Sequence, residues 1–424
     1  MSGPRGALVS VFDDAFIVEG ARTPFVDYNG ALSLVSPIDL GVKAGREALK
    51  RADVAPETID AVICGSMAQA SFDAYMLPRH VGLYCGAPIE TPALLVQRVC
   101  GTGIEAIAQA ADAASLGRAG AVLCVGAESM SRNPVASYTH RGGFRLGQVE
   151  FKDFLWEALF DPSCDASMGD TAENLARRYQ ITREDVDRFA ARSFERALSA
   201  RAAGYFDEEI VAVADETFAR QGYNSRAIKL KKKGEIVDED SHVRPSPVET
   251  LAKIRPAFGG VQTGGNSSAV VDGAAAVVVA SGKRLAAEGK IPLARVVACA
   301  AVGVPPEIMG IGPAPAIRAV CAHAGLAISD IDRFEINEAF GAQAIACVRE
   351  LGLDEDKLNV CGGAIAIGHP LGATGVRLAL TVARQLRRDG LRYGVASACI
   401  GGGQGIAMIV ENPTAKNGTK GEAR

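Results

Sequence analysis

The stretch VCGTGIEAIAQAADAASLGRAGAVLCVGA, residues 99–127, decides the fold. A glycine-rich turn leads into GIEAIAQAADAASLG (103–117), where Ile104, Ile107 and Ala111 fall on one helical face. AVLCVGA (121–127) follows as an apolar run with no polar alternation, the mark of a strand covered on both faces. Upstream, AVICGSM (61–67) reads the same way. Strand, helix and strand in this order form a βαβ unit. The expectation is an α/β protein on a largely parallel, covered sheet.

Further along, the pattern returns. RFEIN (333–337) is strand-like, EAFGAQAIACVREL (338–351) is helical, and ATGVRLALTVARQLRRDG (373–390) is a second helix that stops at Gly390. YGVASACI (393–400) and QGIAMIV (404–410) read as strands around a glycine turn. The order Cys100 loop, helix, strand, Gly126 resembles the order His369 loop, helix, strand, Gly401. A duplicated α/β unit is expected, with one reactive loop from each half at a shared interface. The expected division is residues 14–129 plus 260–283 for the first half and 284–412 for the second. Residues 130–259 hold most of the aromatic and charged residues and read as an insertion lying over the core. Within it, 183–201 is an amphipathic helix with Val186, Phe189, Ala190 and Phe194 on one face. Residues 413–424 lack apolar content and are expected to be disordered.

Composition bounds the function. The chain has 424 residues, 48% of them hydrophobic, enough for more than one core. A net charge of −4 argues against nucleic acid as a main partner, since phosphate binding needs clustered positive charge. The ten cysteines form no CxxC pair, which fits a reduced protein and neither a disulfide scaffold nor a zinc site; no metal is expected. No signal peptide is read at the start, no run approaches the ~20 apolar residues of a membrane span, and a cytoplasmic location is expected.

Four motifs carry more glycine and polar residues than packing needs. In VCGTG, Cys100 precedes a turn that opens a helix. Helix N–H groups favour a thiolate, so a lowered thiol pKa is expected; the ordinary alternative is a buried cysteine at a strand–helix junction. In GGAIAIGHPLGATG (362–375), His369 is the one histidine of five set in a glycine-rich loop before a helix, either as a base or as a simple turn residue. In CIGGGQG (399–405), three glycines after Cys399 suit a turn whose N–H groups face a ligand oxygen. A phosphate loop is the weaker reading, because no Lys-Ser/Thr follows. In NEAFGAQ (337–343), Asn337 either caps the next helix or orients a water or a carbonyl.

Together, in the chain order VCGTG, NEAF, GHPLGATG and CIGGGQG, these motifs resemble the thiolase family. GAESMS (126–131), MGDTAEN (168–174), KIRPAF (253–258), GGNSSAVVDGAAAV (264–277) and MGIGPAPA (309–316) extend the likeness over about residues 15–412. The resemblance implies two βαβαβαββ halves, layered α/β/α/β/α, with a long insertion in the first. It implies thiolytic cleavage of 3-oxoacyl-CoA, with coenzyme A as substrate and no permanently bound cofactor. By similarity Cys100 is the acylated nucleophile, His369 its base and Cys399 a second acid/base. Asn337 holds a water that forms one oxyanion hole with His369; the N–H groups of Cys100 and Gly401 form the other. Met168, Ser268, Ala339, Phe340 and Ser167 match positions at the pantetheine arm or the acyl group. A homodimer or homotetramer is implied, and YTHRGGFRLGQVEF (138–151) resembles a tetramer-forming hairpin.

Two departures stand out. Short-chain thiolases carry His where this chain has Ser167, which favours a broader or longer acyl preference. RTPFVDYNGAL also lacks the glycine that commonly follows RTP. The rivals are an acetoacetyl-CoA thiolase run as a condensing enzyme, a ketoacyl-carrier-protein synthase, and a non-catalytic lipid-binding relative. The synthase would lack both NEAF and Cys399 in CIGGGQG.

Overall fold

The computed structural model describes residues 6–68, 71, 73–138 and 140–415. A short strand β1 (Ala7–Val11) leads into the first half: β2 (Phe16–Arg22), α1 (Pro37–Arg51), β3 (Ala61–Gly65), α2 (Leu77–Cys85), β4 (Ala93–Val96), α3 (Thr102–Ser115) and β5 (Ala121–Glu128). A long excursion carries α4 (Met168–Arg178) and α5 (Arg183–Ala202) before β6 (Val271–Ala280) closes the half. The second half is β7 (Ala294–Gly303), α6 (Pro313–Ala324), β8 (Arg333–Ile336), α7 (Gly341–Leu351), α8 (Leu371–Asp389), β9 (Tyr393–Ile400) and β10 (Gln404–Glu411). Where β4 stands in the first half, the second keeps only a parallel bridge between Phe334 and Leu358. Both halves therefore follow βαβαβαββ.

The strands form one eleven-stranded sheet in the order β8-β9-β10-β7-β2-β6-β5-β3-β4, with β1 beside β7 and the strand Val26–Asp27 beside β6. The expectation of a largely parallel sheet needs correction. Only β3–β4, β3–β5 and β8–β9 are parallel. After the excursion β6 returns antiparallel between β2 and β5, β10 doubles back from β9 through a glycine turn, and the halves join where β2 meets β7. Crossover helices keep β3, β4 and β5 pointing one way, and likewise β8 and β9, while the other pairs in the sheet are antiparallel.

α1 and α2 cover the outer face of the first half, and α6 covers that of the second. α3 and α8 lie between them and touch strands of both halves. This central position buries every residue of α8 from Leu371 to Ala383, and even the polar stripe Thr374, Arg377 and Thr381 on one side of the helix faces protein and not solvent. Pro370 starts α8, Arg387 and Arg388 sit in its last turn, and Gly390 ends it with φ 65°. The two helices cross at glycines. A Cβ on Gly375 would lie 2.2 Å from the Ile104 nitrogen, and one on Gly103 2.4 Å from the Val376 nitrogen.

The excursion is tied to the core through Arg22, which is fully buried. Its guanidinium donates to Glu209 at 3.0 Å and to both oxygens of Asp240 at 2.7 and 2.9 Å. The expected amphipathic helix is α5, with Val186, Phe189, Ala190 and Phe194 all buried. The helix expected from 338 begins at Gly341 instead, because the NEA segment bends to meet the site. Most of the tail expectation for 413–424 lies outside the described residues. Thr414, within them, is held by Arg387 at 2.7 Å rather than loose.

Candidate active site

Cys100 stands in the turn between β4 and α3. Val99, just before it, has φ 43°, a left-handed conformation that a β-branched residue rarely adopts. The strain is held by Thr102, whose hydroxyl donates to the Val99 carbonyl at 2.6 Å and accepts from the Arg98 N–H at 2.8 Å. Cys100 is buried, and the backbone N–H groups of Gly401 and of Cys100 itself face its sulfur. The expected fall in thiol pKa does not occur. Burial pushes the Cys100 thiol up to about 11 and outweighs both N–H donors, so it rests protonated.

His369 occupies the corresponding place before α8. Gly368 precedes it with φ 104°, and a Cβ there would meet Val271 at 2.6 Å. The imidazole is held at both nitrogens: Nδ1 lies 2.6 Å from Thr374 Oγ1 and Nε2 lies 3.3 Å from Asn337 Nδ2. The Thr374 hydroxyl gives its own proton to the Pro370 carbonyl at 3.2 Å, so its oxygen is free to accept. The network therefore assigns the proton to Nδ1 and leaves the Nε2 lone pair facing the Asn337 amide. Burial, and then the charge of Arg377, lower His369 to about 3, so the ring is neutral.

Asn337 follows the last residue of β8, and its N–H donates to the Ser397 carbonyl at 2.9 Å. It does not cap α7, which starts after Phe340; that alternative is closed. Asn337 Oδ1 is buried without a partner. Cys399 is the next-to-last residue of β9, fully buried, in one cluster with Met309, Ala339, Met168 and Phe340. Burial, and then the nearby Cys100 and Cys347 thiols, push it well above its ordinary value. Gly402 and Gly403 have φ 85° and 82°, which only glycine adopts readily; they turn the chain from Cys399 back into β10.

A cavity of about 270 Å³ opens over these groups. Of the residues singled out from sequence, Cys100, His369, Ser167, Met168, Ser268, Ala339 and Phe340 line it. Cys399 and Asn337 lie behind that wall, and Gly401 stands against it, a Cβ there meeting the Met168 sulfur at 3.1 Å. Trp156 and Leu159 from the excursion also line the cavity. Sequence reasoning missed Met130, Phe258, Met309 and Leu371 in the wall, and Thr374 behind His369. Thr374 did leave a signal. Thr102–Gly103 and Thr374–Gly375 are the same dipeptide at matching points of the two halves.

The chain matches the model of the thiolase N-terminal domain over residues 15–283 and of the thiolase C-terminal domain over 290–412. The chain belongs to the thiolase family. It is 44% identical over 401 residues to the mitochondrial 3-ketoacyl-CoA thiolase of Bos taurus, covering 94% of this chain and 98% of that one. The Bacillus subtilis (strain 168) 3-ketoacyl-CoA thiolase is 41% identical, over 94% of this chain and 99% of its own. The crystal structure of human mitochondrial 3-ketoacyl-CoA thiolase superposes with a TM-score of 0.89 at 42% identity, over 95% of this thiolase and 99% of that chain. The same human enzyme in complex with CoA gives 0.88, over 94% and 98%. These relatives overturn the expectation of a cytoplasmic location, since the bovine and human proteins are named as mitochondrial.

Proposed function

We propose that this thiolase cleaves 3-oxoacyl-CoA with coenzyme A, giving acetyl-CoA and a shortened acyl-CoA through an acyl thioester on Cys100. The observation that carries the reading is the meeting of Cys100, His369 and Met168 in one cavity with Cys399 and Asn337 directly behind it. Both thiols rest protonated and the imidazole rests neutral, so none of these three groups carries a charge at rest.

The steps follow from that state. Cys100 passes its proton to His369 as its sulfur attacks the 3-carbonyl. The N–H groups of Cys100 and Gly401, already directed at the sulfur, stand where one oxyanion develops. The bond between the second and third carbons breaks, its electron pair forms the acetyl-CoA enolate, and Cys399 gives that carbon a proton. Coenzyme A then returns a proton to Cys399 and attacks the thioester, and the departing Cys100 sulfur regains the proton from His369. The unpartnered Asn337 Oδ1 and the Asn337–His369 contact suit a water that serves the enolate oxygen.

Ser167, Met168, Ser268, Ala339 and Phe340 supply the acyl and pantetheine contacts. Residues 14–129 with 260–283, and 284–412, carry the reactive loops, and 130–259 supplies the cover. The working unit is a homodimer or homotetramer. Tyr138, Phe144 and Leu146 in the hairpin are exposed, which suits an interface. A mass near 44.1 kDa by light scattering at micromolar concentration would overturn the oligomer.

Incubation with acyl-CoA, digestion and mass spectrometry should find the acyl group on Cys100 alone. In Cys399→Ala, Cys100 should still acylate, while cleavage falls by ~10²–10⁴-fold. An adduct confined to Cys399, or wild-type cleavage in that variant, would reverse the roles.

A further inference from the structure

Glu128 ends β5 with its side chain fully buried, 2% exposed, yet no step of the reaction uses it. Its carboxylate accepts four hydrogen bonds. Oε2 takes the N–H of Met67 at 2.8 Å and of Gly372 at 2.9 Å; Oε1 takes the N–H of Ala68 at 3.1 Å and the Ser66 hydroxyl at 3.3 Å. Three of the four donors are backbone N–H groups, which cannot accept. The site is built for a carboxylate, and a carboxamide would set a donor against a donor.

The residues it binds are those around the nucleophile. Met67, Ala68, Met130 and Leu371 pack with Cys100 in one apolar cluster. Met67 and Ala68 follow β3, Met130 follows Glu128 itself, and Gly372 is the second residue of α8, three beyond His369. The contact is close-fitted: a Cβ on Gly372 would lie 2.8 Å from the Gly65 carbonyl and 3.0 Å from Glu128 Oε2.

We infer that Glu128 is a positioning residue for the reaction: it clamps the start of α8 from the second half onto the β3 and β5 ends of the first, and so sets where His369 stands relative to Cys100. The inference rests on the reading of Cys100 as nucleophile. A second consequence is electrostatic. The titratable groups around the Cys100 thiol are His369 ahead of α8, Cys399 near the end of β9 and Glu128 at the end of β5. Burial is the main cause that keeps that thiol protonated; Glu128, whose own pKa burial raises against its four donors, adds to it as a carboxylate.

The test measures steady-state cleavage and the pH dependence of Cys100 alkylation by iodoacetamide, located by mass spectrometry. Glu128→Gln should lower kcat by ~10²-fold, the cost of an ångström-scale misplacement, with KM for coenzyme A within about twofold. Its alkylation midpoint should move to lower pH. Gly372→Ala wedges the same contact without changing charge, so kcat should fall while the midpoint stays. Wild-type kcat in Glu128→Gln, or an unchanged midpoint, overturns the inference. If Glu128→Gln does not fold, wild-type kcat in Gly372→Ala overturns it. The two readings separate in the wild type. Absence of an acyl group on Cys100 sinks the nucleophile, whereas its presence beside wild-type kcat in Glu128→Gln sinks only the clamp.

Discussion

Gly103 and Gly375 meet backbone to backbone where α3 and α8 cross, with no room for a side chain on either. The contact brings the starts of the two central helices together, and Cys100 and His369 stand at those starts. Gly375→Ala would place its methyl 2.2 Å from the Ile104 nitrogen, so the helices must separate. Overpacking of this kind costs ~1–3 kcal/mol, which denaturant unfolding would read as a lower midpoint. kcat should fall with it, since the reactive groups move apart. Wild-type stability and kcat would mean that the crossing relaxes without consequence.

Thr374 holds His369 Nδ1 at 2.6 Å and thereby keeps the Nε2 lone pair on the reactive side. Thr374→Val preserves shape but removes the acceptor, leaving a buried N–H unpaired. The ring should then lose its fixed orientation. The expected outcome is a fall in kcat of ~10–10²-fold with little change in KM, read from steady-state cleavage. An unchanged kcat would place the control of the ring with Asn337 instead.

Much of this arrangement was legible in the sequence, and the limits have physical causes. The helix crossing is foreshadowed by the paired Thr-Gly dipeptides, and Cys100 and His369 by their glycine-rich loops. Sheet direction was not legible: β6 pairs with β2 and β5 across an excursion that periodicity along the chain cannot bridge. The Cys100 thiol was misjudged for a related reason. A helix N-terminus is visible in sequence, but the burial that outweighs it comes from Met67, Met130 and Leu371, which tertiary packing supplies. The start of α7 lies later than the pattern predicts because Asn337, Glu338 and Ala339 are held out of the helix by other partners. Glu338 takes hydrogen bonds from Ser193 at 2.7 Å and Asn359 at 2.8 Å.

Neutral His369 sets a pH dependence. Its folded value is about 3 against an ordinary 6.5, so the base form is already complete through the neutral range. Acylation by acyl-CoA without free coenzyme A should show no inflection near 6.5. Stability behaves differently. Below 6.5 the unfolded chain binds a proton at this histidine that the folded chain refuses until about 3, so stability is lost as pH falls through that window. His369→Gln should lessen the acid-side fall of Tm. An acylation rate that rises through 6.5, or equal acid slopes in both proteins, would show that the ring takes a proton in the folded state.

Ser167 links the acyl preference to a helix start. Its hydroxyl donates to Asp170 Oδ2 at 2.6 Å and accepts the Asp170 N–H at 3.2 Å, capping α4, while the residue lines the cavity beside Trp156 and Leu159. A histidine there would fill that space with a polar ring. With serine, the apolar wall is left open, and each buried methylene is worth ~0.8 kcal/mol. The expectation is that 3-oxoacyl-CoAs longer than acetoacetyl-CoA are cleaved at least as efficiently as acetoacetyl-CoA itself, measured as kcat/KM over a chain-length series. Ser167→His should shift the profile toward short chains. It also removes the cap, worth ~1 kcal/mol, so Ser167→Ala is the control. That variant loses the cap but not the space, and should lose stability while keeping the profile. A steep wild-type fall beyond acetoacetyl-CoA would make the enzyme short-chain and sink the Ser167 argument. Broad wild-type cleavage that Ser167→His leaves unchanged would place the breadth with the Trp156 and Leu159 wall.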